Sequence, residues 1–278
     1  MSIVFGLFTS DPNLLGCELR RLHDQVRLSE DGGQHNAVGV GSYADETVLL
    51  HRYPSPGMPR LVTELPTTGQ SSALLYHGRS LPVGTSLEDN TQPFRFRRWL
   101  FAQVGELEGY RGFKQQAWEE LPDHLKRQVR GETDAELAFA LFLNGLREVG
   151  RTDDRLLEPL QALRILGAAA RHLQELSARH SPHRAVNLGW VATNEALLIA
   201  CRLGQASLSV RLLEGQGSCS VHKLVKGSPQ SEPLLRAHER CRSVAVASHA
   251  IADGGWTPLE DGMGIAVGIR GTLERAAI

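Results

Sequence analysis

Two periodicities alternate along the chain. Ile3 to Phe8 is a short, almost continuously apolar run, the pattern of a strand buried on both faces. Asp11 as N-cap, Pro12 at the first helical position and Leu15, Leu19, Leu22 and Val26 at helical spacing then predict an amphipathic helix. A turn-rich stretch, Glu30 to Asn36, leads into a strand pair over Asn36–Tyr43 and Thr47–Tyr53, followed by a proline- and glycine-rich loop over 54–69. Ala73–Tyr76 and Trp99–Val104 are further strands. Their connection carries Pro82, Gly84 and Pro93, and a long irregular connection inside a domain is often functional.

Helical periodicity then takes over. One helix opens at Thr133 with Glu136 three residues on, a capping-box spacing, and buries Leu137, Leu141 and Val149 with Phe139, Phe142 and Leu146; a second runs from Leu156 to about Leu176. Strands return at Val186–Ala192, Ala196–Leu203, Ser207–Leu213, Ser243–His249 and Gly264–Gly268, the first two joined by a turn at Thr193-Asn194-Glu195. Blocks of strands, helices and strands suit two stacked sheets with helices outside, an α+β architecture. Nothing divides residues 1–278, and the polar stretch 215–233 reads as a surface loop on one domain.

Composition narrows the function classes. A chain of 278 residues with 41% hydrophobic content can bury a sizeable core. Its formal net charge of -1 offers no global field for nucleic acid or an anionic membrane. No run reaches the roughly 18 apolar residues of a membrane helix, and the N-terminus lacks the basic flank of a signal peptide, so a cytoplasmic location is expected. Cys17, Cys201, Cys219 and Cys241 lie far apart without C-x-x-C spacing and read as reduced thiols, Cys17 as a buried one in mid-helix. His172, His180 and His183 lack the spacing of a helical metal site, so no metal and no cofactor are expected. Arg95, Arg97 and Arg98 beside Phe94, Phe96 and Trp99 fit a strand with one wet face better than a stacking surface for bases.

Three strings are more specific: Tyr76-His77-Gly78-Arg79, Asn90-Thr91-Gln92-Pro93-Phe94, and Gly131-Glu132-Thr133-Asp134-Ala135-Glu136. In order and spacing they resemble the glutaminase domain of class II glutamine amidotransferases, closest to the stand-alone branch that includes the ergothioneine-biosynthesis amidohydrolase. Trp99 to Tyr110 is similar to the family's Trp-x-x-Ala-His-Asn-Gly-x-Leu-x-Gly-Tyr segment; Asn187 to Cys201 resembles its late hairpin, and Ala247 to Trp256 its last strand pair. The resemblance implies a four-layer αββα sandwich of the N-terminal-nucleophile hydrolase type. There the first residue's side chain attacks an amide and its own α-amine serves as base.

Against that family the chemical positions have changed. Ser2 stands where the family has its cysteine nucleophile, and it reads either as a weakened nucleophile or as an ordinary strand-opening residue. The oxyanion pair, Asn-Gly in the family, is Val104-Gly105, which leaves only a backbone donor. Two family histidines are Gln92 and Gln103, and the family's His-x-Asp-Gly-Trp-Gly strand has become Gln34 to Gly39. The amino-acid clamp persists: by resemblance Arg79 pairs with a ligand α-carboxylate, Asp134 accepts its α-ammonium, and Asn90-Thr91 borders it. The alternatives are an ordinary salt bridge for Arg79, a helix-dipole role for Asp134 and a local turn for Asn90.

The expectation is therefore an amidotransferase-like protein with glutamine hydrolysis lost or strongly impaired, which binds an amino-acid or γ-glutamyl ligand or a protein partner. The competing expectation is an active amidohydrolase with Ser2 as N-terminal nucleophile, exposed by removal of Met1.

Overall fold

In the computed structural model the described residues are 2–28, 35–45, 47–53, 58–66, 70–82, 85, 87–183, 186–224, 232–250 and 254–278. Met1, Gly84, residues 30–34 of the turn predicted at Glu30 to Asn36, the ends of the 54–69 loop and residues 225–231 of the predicted surface loop lie outside them.

The first strand, β1 (Ser2–Thr9), sits inside a seven-stranded sheet, buried along seven of its eight residues as its almost continuous apolar run requires. It pairs antiparallel with β4 (Ala73–Arg79) on one side and β10 (Ser243–Ala247) on the other. β2 (Ala37–Ala44) and β3 (Thr47–Tyr53) extend the sheet past β4, and β9 (Ser209–Leu213) with the short β11 (Thr257–Pro258) extends it past β10. The second sheet has six strands in the order β13 (Leu273–Ala277), β12 (Met263–Gly268), β8 (Leu197–Leu203), β7 (Asn187–Thr193), β6 (Trp99–Glu106) and β5 (Phe94–Phe96).

Three apolar layers hold these sheets. Val4, Phe8, Leu75, Leu100, Val104, Val191 and Leu198 belong to the layer in which the two sheets meet. The outer face of the second sheet is covered by α5 (Asp134–Glu148) and α6 (Pro159–His180), through Phe101, Trp190, Phe139, Phe142 and Leu166. Ile3, Phe5 and Leu7, alternating with Val4 and Phe8, face the opposite way onto α1 (Leu15–Arg21). Helices outside two face-to-face antiparallel sheets match the element order and make the αββα sandwich that the resemblance implies.

Several boundaries differ from the pattern. Asp11 caps as expected, its Oδ1 accepting from Asn13 N at 3.0 Å, but Pro12–Leu14 is a 3-10 turn and α1 stops at Arg21. Leu22 and Val26 are nevertheless buried with Leu15 and Leu19, so the apolar stripe outlasts the helix. Thr133 caps α5, while Glu136 turns its carboxylate back to Arg130 N and Gly131 N instead of Thr133 N, so half of the capping box forms. Val149, expected in the buried stripe, is the exposed C-cap of α5. Leu156, where the pattern predicts the next helix to start, is 86% exposed, because α6 begins at Pro159, where a missing N–H costs nothing. The segment expected to hold the last strand pair ends β10 at Ala247, and the final pair is β12 with β13. The helices α2 (Leu87–Asn90), α3 (Tyr110–Glu119), α4 (Asp123–Lys126) and α7 (Glu232–Arg240) were not legible in the pattern. No helix among the described residues is long and apolar enough to cross a membrane.

Candidate active site

Register places the start of β1 against the end of β4. Ser2 stands opposite Arg79, and Arg79 stands opposite Ala37 of β2 on its other side. The end of β6 and the first turn of α5 complete an open cleft of about 1160 Å³ bordered by Ser2, Arg79, Asn90, Val104, Gly105 and Asp134. Thr91 is buried next to Asn90 and does not line the cleft. Folding thus gathers six of the seven residues singled out from sequence around one opening.

The two glutamines that stand where the family has histidines are joined. Gln92 Oε1 accepts from Gln103 N at 2.7 Å, Gln103 Oε1 accepts from Trp190 Nε1 at 2.7 Å, and Gln103 Nε2 donates to Asp134 Oδ2 at 2.9 Å. Asp134 Oδ2 also accepts from Leu107 N at 2.8 Å, and its Oδ1 from Ala135 N at 2.9 Å. Asn90 Oδ1 accepts from Glu132 N at 3.0 Å, which pins the turn entering α5 to the loop after β4. Gly39 lets that loop approach β2, since a Cβ there would lie 2.3 Å from the Gln92 carbonyl oxygen.

Electrostatics follow from this burial. Desolvation pushes the Asp134 carboxyl above its ordinary range, opposed by the Leu107 and Gln103 hydrogen bonds and by the charge of Arg79. His77, fully buried, is held down to about 3 by desolvation first and the Arg79 charge second. Its Nε2 lies 3.0 Å from the Gln103 carbonyl oxygen, which can only accept, so the neutral ring carries its proton on Nε2. Arg79 is half-buried and makes no ion pair among the described residues.

Val104 brings no donor to the cleft. It is 4% exposed and packed in the inter-sheet layer that also holds Ala206 and Leu208. Gly105 adopts φ +85°, and a Cβ there would fall 1.8 Å from the Asn187 carbonyl oxygen. Sequence reasoning passed over two further cleft residues, Ser248 and His249. Ser248 Oγ accepts from Val4 N at 3.0 Å and lies 2.9 Å from His249 Nδ1, tying the end of β10 to the start of β1. The available signals were the predicted strand Ser243–His249, which ends in this pair, and the resemblance of Ala247 to Trp256 to the family's last strand pair.

The other sequence candidates lie elsewhere. His172 Nε2 is 2.7 Å from Glu120 Oε2, and His180 Nδ1 is 3.0 Å from the Leu176 carbonyl oxygen. Arg97 and Arg98 pair with Asp153 and Glu195, at the hairpin of β5 and β6.

Comparison with known proteins agrees with this layout. The family model for class-II glutamine amidotransferases matches residues 10–179. Probable glutamine amidotransferase DUG3 of Saccharomyces cerevisiae is 31% identical over 81 residues, 29% of this chain and 23% of that protein, so under a quarter of the yeast protein is matched. Among solved structures, a glutamine aminotransferase class-II domain protein from Silicibacter pomeroyi aligns with a TM-score of 0.58 at 19% identity, over 99% of this chain and 98% of that one. A predicted glutamine amidotransferase from Pseudomonas aeruginosa aligns with a TM-score of 0.58 at 19% identity, over 98% and 94%. The glutamine phosphoribosylpyrophosphate amidotransferase of B. subtilis aligns with a TM-score of 0.55 at 14% identity, over 99% of this chain and 49% of that one, a likeness of fold. With the family model covering more than half of its residues on a two-sheet sandwich of this kind, the chain belongs to the class-II glutamine amidotransferases.

Proposed function

We propose that this family member binds an α-amino acid or γ-glutamyl compound in the cleft and has lost, or nearly lost, glutamine hydrolysis. Arg79 carries the reading. A half-buried guanidinium with no ion pair among the described residues, bordering the same cleft as a carboxylate, suits a zwitterion's α-carboxylate. Asp134 then receives the α-ammonium on Oδ1, which has one donor, while Oδ2 is held by Gln103 and Leu107. Asn90 holds the turn that leads into Asp134, with Thr91 buried beside it. The chemistry is impaired at two points: a hydroxyl at Ser2 is a far weaker nucleophile than a thiolate, and Val104 cannot donate to an oxyanion. Losing one such donor costs on the order of 10² to 10³ in rate.

The test is calorimetric titration with glutamine and γ-glutamyl amides alongside an ammonia-release assay. Binding that Arg79→Met removes, with no ammonia released above a Ser2→Ala control, is the expected result. Ammonia release that Ser2→Ala abolishes would overturn the loss of hydrolysis and establish Ser2 as an N-terminal nucleophile. Absence of binding by any amino acid would overturn the clamp.

A further inference from the structure

Away from the cleft, four side chains with metal-ligating atoms converge from three segments. Cys17 comes from α1, Cys219 and His222 from a tight turn after β9, and His238 from α7. The turn is closed by paired backbone bonds, Cys219 N to Leu224 O at 3.2 Å and Leu224 N to Cys219 O at 2.9 Å, and reverses at Lys223 with φ +52°. It thereby presents Cys219 and His222, three residues apart, to the same point. One atom of each of the four side chains lies within 4.8 Å of the other three.

His222 Nδ1 is the focus: Cys17 Sγ lies 3.4 Å from it, Cys219 Sγ 3.8 Å and His238 Nε2 3.0 Å. An imidazole nitrogen offers one in-plane site, either a proton or a lone pair, and so satisfies one partner. Three heteroatoms crowding that single site are poorly explained by hydrogen bonding. A cation at their centre satisfies all four at once.

The distances also suit a tetrahedron. Zinc bonds of about 2.3 Å to sulfur and about 2.0–2.1 Å to nitrogen place ligand atoms about 3.3–3.8 Å apart. Two thiolates and two neutral imidazoles around a divalent cation give a site of zero net charge. Its surroundings fit that neutrality, since Leu14, Leu224 and Leu235 pack with Cys17 and Cys219 in one apolar cluster. A tetrahedral pair of sulfurs and pair of nitrogens selects zinc over the oxygen-preferring cations.

We propose that Cys17, Cys219, His222 and His238 form a structural zinc site that fastens the turn at 219–224 and α7 to α1. Binding releases the two thiol protons, and with four protein ligands the metal keeps no open position for a substrate. Cys17, Cys219 and His238 are buried and His222 is exposed, so a chelator can reach the metal from one side.

Metal content is measured on the purified chain before and after chelator dialysis, and cobalt(II) is then added to the stripped protein. About one zinc per chain is expected, with tetrahedral d–d absorption and a thiolate-to-cobalt charge-transfer band on cobalt addition. Cys219→Ser and His222→Ala should weaken zinc binding by more than about a hundredfold, while Cys201→Ala, which removes a buried thiol in β8, should leave it unchanged. The cobalt spectrum of the unaltered chain decides the matter even if a variant fails to fold. No charge-transfer band, zinc binding indifferent to Cys219→Ser, or a Cys17–Cys219 disulfide without metal would each overturn the site.

Discussion

Gln103 Nε2 donates to Asp134 Oδ2 over 2.9 Å, so the residue after Ala102 on β6 fixes the orientation of the first-turn carboxylate of α5. The same amide accepts from Trp190 Nε1, which is buried and has this acceptor in the protein. Removing the amide therefore strands a donor and loosens an acceptor together. Gln103→Leu should lower unfolding stability by about 2–5 kcal/mol, read from urea denaturation. Gln103→Glu keeps an acceptor for Trp190 but sets a second carboxyl against Asp134, so its loss should be smaller at pH 5 than at pH 7. Equal stability of Gln103→Leu and the unaltered protein would show that the network is not holding the helix start.

Val104 separates packing from chemistry. In a Ser2→Cys background, Val104→Asn returns a side-chain donor beside Gly105, and glutamine hydrolysis should rise by at least about 10² over Ser2→Cys alone. The same change places an amide in the inter-sheet layer with Ala206 and Leu208 and should cost about 1–3 kcal/mol of stability. Steady-state ammonia release and a denaturation curve measure the two effects on one preparation. A folded double variant without a rate increase would mean that the missing donor is not what limits the chemistry.

Much of this arrangement was legible because its causes are local. The almost continuous apolar run at Ile3–Phe8 requires burial on both faces, and β1 has it. Asn194 Oδ1 accepts from Ala196 N and Leu197 N, the Asx turn that its sequence announces between β7 and β8. The strings that suggested the cleft lie at a strand end, a loop and a helix start, and backbone pairing brings them together. What failed depended on partners distant in sequence. Val149 fits a helical stripe by spacing, yet it follows the last turn of α5 and meets no facing layer. The short β5, β11 and β13 owe their existence to neighbouring strands more than to their own composition. Cys17 and Cys219, too far apart in sequence for any spacing rule, meet because α1 and the turn at 219–224 pack into one buried cluster.

Gly105 tests the backbone of the cleft independently of any ligand. At φ +85°, with a Cβ position 1.8 Å from the Asn187 carbonyl oxygen, Gly105→Ala must shift the β6–β7 pairing as well as adopt a strained conformation. A loss of about 2–4 kcal/mol is expected by thermal or urea unfolding. A Gly150→Ala control also has positive φ but nothing within 4 Å of its Cβ position, so it should lose less. Similar losses in both would attribute the cost to φ alone and remove the close approach from the account.

His77 makes stability depend on pH in a direction that its burial dictates. Its ordinary value is 6.5 and in the fold it is held down to about 3, so between these two the unfolded chain binds the proton that the folded chain refuses. Stability is therefore complete above pH 6.5 and falls as pH drops, with a slope approaching about 1.4 kcal/mol per pH unit. Asp134, raised by burial, acts in the opposite sense: the folded chain keeps its proton to higher pH than the unfolded chain does, so its contribution is lost as pH rises. Because Asp134 is present in both proteins, the difference between the unaltered chain and His77→Gln isolates the histidine. Urea unfolding at pH 7, 6 and 5 should show the unaltered chain losing stability more steeply than the variant. Parallel curves would mean that His77 takes up its proton in the folded state and that the ring beneath Gln103 is not sealed from water.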